Sequence, residues 1–134
     1  DINLHDELPL WIEKIVNAIS CSFGASAKVN YRCIAPPIYN DPVLTKLLER
    51  SAVSILGFQK VIQLEKPSLG AEDFAEFLEV VPGAMFRLGV AGEKDCYPLH
   101  NGQFSPEEGS IFIGIQILAS TLMLWMEEHS SEIP

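Results

Sequence analysis

Two consecutive prolines, Pro36-Pro37, constrain what this chain can fold into more than any other feature. Neither ring nitrogen has a hydrogen to donate, and each ring keeps the preceding residue out of the helical region. No helix and no central strand runs through such a pair. The chain therefore divides there, into residues 1–36 and residues 37–134. The first part holds one helix and one strand by pattern, too little to enclose a core. The second alternates helices with short apolar runs. The pair reads as a hinge or domain boundary.

Ahead of the hinge, Leu8, Ile12, Ile15, Ile19 and Phe23 recur at helical spacing, and Gly24 is a natural stop. Pro9 is compatible only with a first turn, which predicts a helix from about Asp6 to Phe23. Ala27 to Ile34 then alternates. Ala27, Val29, Tyr31 and Cys33 face one way, and Lys28, Asn30 and Arg32 face the other. That is the pattern of a strand with one wet face in an antiparallel sheet. Its sheet neighbours are not in this sequence.

After the hinge, Asp41 and Pro42 form a helix start, Leu44, Leu47, Leu48, Ala52 and Ile55 form the stripe to be buried, and Gly57 is the stop. Val61 to Leu64 reads as a short strand and Ser68-Leu69-Gly70 as a tight loop. Ala71 to Val80 is predicted to be a short helix burying Phe74, Phe77 and Leu78. Pro82-Gly83 is a turn, and Ala84 to Val90 a second strand. Ser105-Pro106-Glu107-Glu108 has the form of a capping box with proline at the first helical position, opening a last helix. The run Ile111 to Met126 is strongly apolar but shorter than the ~20 residues of a spanning helix, so a helix buried on most faces is expected, with no membrane partner. Helices alternating with short apolar strands predict a layered α/β sheet.

Charge excludes one class of partner. Nine Lys and Arg stand against 18 Asp and Glu, a net charge of −9, which would repel a phosphate backbone and argues against nucleic acid. Cys21, Cys33 and Cys96 are an odd count without a Cys-x-x-Cys pair, a usage that fits a reduced, cytoplasmic chain. Cys21 and Cys33 fall on predicted buried faces, and Cys96 in a loop. The start at Asp1, with no signal-like apolar stretch, suggests a piece of something longer.

Chemistry concentrates in two loops. Pro98-Leu99-His100-Asn101-Gly102-Gln103-Phe104 places His100 after an expected strand, where α/β proteins build sites. A single histidine is no motif, and a loop histidine without a task is the plain alternative. Gly70-Ala71-Glu72-Asp73-Phe74 puts two acids at a helix start. Acids there complement the helix dipole; the functional alternative is a backbone that approaches an anionic substrate group at Gly70. Glu107 and Glu108 read as a helix start, and His5, Glu127, Glu128 and His129 as solvated.

The order of these features resembles one family. Pro36-Pro37-x-x-Asn40-Asp41, Gly70-Ala71-Glu72-Asp73-Phe74, Val81-Pro82-Gly83-Ala84-x-Phe86-x-Leu88-Gly89 and Leu99-His100-Asn101-x-x-Phe104-x-x-Glu107-Glu108-Gly109 look like the carboxyl-terminal part of the metal-dependent amidohydrolases and carboxypeptidases. That family includes N-acyl-amino-acid amidohydrolases, hippurate hydrolases and indole-acetyl-amino-acid hydrolases. The resemblance runs from about Leu8 to Trp125. It implies that residues 1–36 are the last helix and strand of an α+β lid or dimerisation domain. Residues 37–134 would then be the carboxyl-terminal half of a layered, zinc-peptidase-like α/β catalytic domain.

By the same resemblance His100 is the family's last metal ligand, holding one of two ions of zinc or manganese. Gly70 and Glu72 border the site, and Asn40 lies at the return from the lid, all three as substrate-binding candidates. The implied reaction is hydrolysis of an N-acyl amino acid or small peptide amide by a metal-bound water. The remaining ligands and the general-base glutamate belong to the amino-terminal half, which nothing here matches. A catalytic zinc takes about three protein ligands and this chain supplies one, so the chain alone is expected to be inactive. Expected partners are that missing half, or a second copy through the unpaired strand. The alternative is a non-catalytic binding or dimerisation module derived from the same family.

Overall fold

A computed structural model describes residues 2–92 and 97–130; the position expected for Cys96 lies outside them. Four α-helices are formed in the order α1 (Ile2–Ser22), α2 (Pro42–Leu56), α3 (Phe74–Leu78) and α4 (Gly109–Glu128), with a 3-10 turn at Phe58–Lys60 after α2. The chain separates into two compact units. One comprises Asp1–Tyr39 and Ser68–Pro82, the other Asn40–Pro67 and Gly83–Pro134.

In the first unit α1 begins at Ile2, four residues ahead of the expected start, so Pro9 lies inside the helix rather than in its first turn. Pro9 cannot donate to the carbonyl four residues back, a local loss that the remaining turns of a 21-residue helix outlast. The end is as the sequence reads. Gly24 takes φ 65°, and the N–H groups of Gly24 and Ala25 close back on the carbonyls of Cys21 and Ser20 at 3.0 Å each. This is the paired closure that favours glycine just past a helix end. The expected buried stripe is not covered: Ile15, Ile19 and Phe23 are exposed. α3 is shorter than expected, and it buries Ala75 while Phe77 lies open.

The second unit is built on α2 against α4. Asp41 caps α2, its Oδ1 accepting from Val43 and Leu44 N–H at 2.9 Å each, with Pro42 at the first position. Gly57 closes α2 at φ 82° and donates to the Val53 carbonyl at 2.9 Å. Leu47, Leu48 and Ser51 of α2 and Ser110 and Ile117 of α4 are buried. Arg50 and Glu128 tie the two helices at the surface, an exposed ion pair of small energetic weight.

Three expectations fail here for one reason. Residues 27–34, 61–64 and 84–90 form neither helix nor strand, and no strand is present among the described residues. A strand exists through the neighbour that pairs its N–H and C=O groups, and alternation in sequence cannot provide one. Residues 84–90 are held by other means. The Asp41 N–H donates to the Gly83 carbonyl at 2.8 Å, and the Glu107 N–H to the Val90 carbonyl at 2.9 Å. Between these pins, a Leu88 methyl lies 3.1 Å from where a Cβ on Gly114 would stand, so Leu88 seats against α4 where that helix has no side chain.

α4 also departs from expectation. It starts at Gly109, not Pro106, with the Glu107 N–H spent on Val90 and no side-chain cap at Glu108. At 20 residues it is long and apolar enough, by length and composition, to cross a bilayer. It is not buried on most faces: Ile111, Phe112, Ile115, Leu118, Leu122 and Met123 are exposed. A layered fold would cover those faces with a sheet, and none is formed among the described residues. Cys21 and Cys33, expected in a core, are exposed for the same reason.

Candidate functional site

His100 stands in a loop of two successive turns. The Asn101 N–H donates to the Pro98 carbonyl at 3.1 Å, and the Phe104 N–H to the Asn101 carbonyl at 2.9 Å. Asn101 Oδ1 accepts the Gln103 N–H at 2.8 Å and stiffens the second turn. His100 is third of the four residues in the first turn and takes φ 71°. No other non-glycine residue among the described ones has a positive φ. That value at that position is the type II pattern, which glycine serves without strain. A histidine costs roughly 1–2 kcal/mol there, because its Cβ crowds the following carbonyl. The imidazole is exposed and makes no hydrogen bond among the described residues, so both ring nitrogens are open to a ligand.

Asn40 belongs to the same unit. Its amide is spent on the backbone of Met85, Nδ2 donating to the carbonyl at 2.7 Å and Oδ1 accepting the N–H at 2.9 Å. One Nδ2 hydrogen remains free. Gly70 and Glu72 fall in the other unit. The Gly70 N–H donates to Ser68 Oγ at 3.1 Å, and the Glu72 carbonyl accepts the Ala75 N–H at 3.1 Å. Glu72 is exposed and precedes a helix of five residues, whose cap residue Asp73 makes no side-chain bond to it.

Among the described residues no three His, Cys, Asp or Glu side chains gather as a metal site. His100 fits a ligand's role by exposure and free nitrogens, but one ligand does not make a centre. Sequence reasoning picked out His100 and missed two things. One is its left-handed backbone. The other is the approach of Glu107 to Gly92, where a Cβ would stand 2.9 Å from Glu107 Oε2. A glycine just past an expected strand was the available signal for that approach.

The sequence profile of Peptidase family M20/M25/M40 matches residues 3–124. The chain belongs to this family, whose members are hydrolases acting on amide bonds and are generally metal-dependent. A Synechocystis sp. protein named as a probable hydrolase is 44% identical over 117 residues, covering 86% of this chain and 30% of that protein. Thermostable carboxypeptidase 1 of Saccharolobus solfataricus is 32% identical, covering 85% of this chain and 29% of its own length. An N-acetyldiaminopimelate deacetylase of Geobacillus sp. is 33% identical, covering 81% and 28%. The chain thus spans about 30% of the length of these curated relatives. No solved structure matches it significantly. Membership implies a peptidase-like α/β fold, of which the described residues form the helices.

Proposed function

We propose that this chain is the carboxyl-terminal portion of a metal-dependent amidohydrolase that cleaves N-acyl amino acids or small peptide amides. The observation that carries the reading is the family match over residues 3–124 together with a strained, exposed, unbonded His100 in the loop that resembles the family's ligand loop. Strain held at a polar loop residue is a recognised mark of functional sites. His100 would hold one of two zinc or manganese ions, with the other ligands and the general base in the amino-terminal portion. When bound, such an ion supplies Lewis acidity and an acidified water as nucleophile.

Asn40, Gly70 and Glu72 are proposed to border the substrate. Asn40 would contribute its remaining Nδ2 hydrogen, Glu72 an exposed carboxylate, and Gly70 a backbone without a side chain. The amino-terminal portion, a second copy of the chain and a cytoplasmic setting complete the proposal. The last rests on cysteine usage alone.

A chimera tests this directly. The segment of the Synechocystis relative that matches is exchanged for this chain, and hydrolysis of N-acetyl amino acids and dipeptides is measured with zinc or manganese. The reading expects turnover that His100→Ala abolishes. Turnover untouched by His100→Ala would overturn the role of His100. A folded but inert chimera would favour the non-catalytic module.

A further inference from the structure

Cys33 and His5, far apart in sequence, meet in the first unit with Cys33 Sγ 3.3 Å from His5 Nε2. The sulfur also lies 3.4 Å from the Ala35 carbonyl, which it reaches as a donor. Cys33 is exposed, so a small molecule can approach the sulfur. Nothing in the proposed amidohydrolase chemistry uses either residue.

We propose that Cys33 is a thiol-modification site at which His5 moves the proton, and that its reactant class is a small symmetrical disulfide. The thiolate is the nucleophile in such exchanges, so a group that accepts the thiol proton on site raises the rate. Ala35 and His5 both stand within reach of that proton. A carbonyl oxygen can hold it in a hydrogen bond but not remove it, whereas a neutral imidazole nitrogen can. The step balances. Nε2 takes the Sγ proton, and Sγ attacks one sulfur of the disulfide. The S–S bond of the reagent breaks, and a Cys33–reagent disulfide forms. The leaving thiolate takes the proton back from the imidazolium. One disulfide is consumed and one formed, with no outside oxidant.

Cys21 is the internal control, since it is also an exposed free thiol but bonds no histidine among the described residues. The whole chain is treated with glutathione disulfide under pseudo-first-order conditions, and the mixed disulfides are located by peptide mass spectrometry. Cys33 is expected to react about tenfold faster than Cys21, a modest value for an open pair compared with the ~10²–10⁴ of a general base positioned in an active site. His5→Ala is expected to bring Cys33 down to the Cys21 rate while leaving Cys21 unchanged, with circular dichroism confirming that the chain remains folded. His5→Gln keeps a hydrogen-bonding side chain but cannot carry the proton, and is expected to behave like His5→Ala. Equal rates at the two cysteines, or a His5→Gln variant as fast as wild type, would overturn the proposal.

Discussion

The side-chain amide of Asn40 and the backbone of Met85 form a closed pair, donating at 2.7 Å and accepting at 2.9 Å. A side chain here does what a neighbouring strand does in a sheet: it satisfies both the N–H and the C=O of one residue. With Asp41 bonded to Gly83 one step along, it anchors the start of segment 84–90. Both groups of Met85 are part-buried, so losing the amide leaves them without partners.

Asn40→Ala is therefore expected to cost about 1–3 kcal/mol, the range for stranding partly buried polar groups. Hydrogen exchange followed by NMR is the direct check. The Met85 amide should lose protection in the variant while amides in the middle of α2 keep theirs. Unchanged protection at Met85 would show that something else holds the segment.

Ser51 gives the opposite sign. Its residue, on α2, is fully buried, and its hydroxyl has no partner. Ser51→Ala removes an unpaired buried oxygen with almost no change of shape. The expected effect is a gain of about 1 kcal/mol. A urea denaturation showing a loss of that size would mean the hydroxyl is bonded in solution.

The open face of α4 predicts association. Burying one Leu, Ile or Phe side chain is worth about 1.5–3 kcal/mol, and α4 leaves Ile111, Phe112, Ile115, Leu118 and Leu122 exposed. Sedimentation should find assemblies larger than the monomer, and Leu118→Glu with Leu122→Glu should shift the chain toward monomer. A monodisperse wild-type monomer would contradict this.

How legible these features were depended on whether their cause is local. Asp41, Pro42 and Gly57 bound α2 because a cap, a fixed φ and a glycine act within one turn, and all three behave as their types require. Gly24 is the same case. Residues 27–34 alternate and residues 84–90 are an apolar run, both of which read as strands, yet a ladder is a non-local object. Asn40, Asp41 and Glu107 hold the second of these segments instead. Pro9 misplaced the start of α1, because a long helix survives the loss of one hydrogen bond. His100 was legible as a residue but not as a conformation. Only the turn between Pro98 and Asn101 imposes its left-handed backbone.

That conformation separates stability from function at one position. His100→Gly removes the Cβ from a left-handed site and is expected to stabilise the loop by about 1 kcal/mol, less the entropy that glycine loses on folding. In the chimera with the Synechocystis relative the same change should abolish amide hydrolysis. Thermal denaturation and a turnover assay on one preparation read both effects. A loss well beyond the roughly 0.5–1 kcal/mol of glycine entropy would show that the imidazole has a structural contact.

Metal content is the most direct measurement of the central claim, that His100 is a ligand in a family M20/M25/M40 hydrolase. The purified chimera and its His100→Ala variant are loaded with zinc, dialysed, and analysed for bound ions by mass spectrometry, with folding confirmed by circular dichroism. Two ions per chain in the parent chimera, falling to about one in the variant together with loss of hydrolysis, is the predicted result. An unchanged zinc content in a folded His100→Ala variant would contradict it.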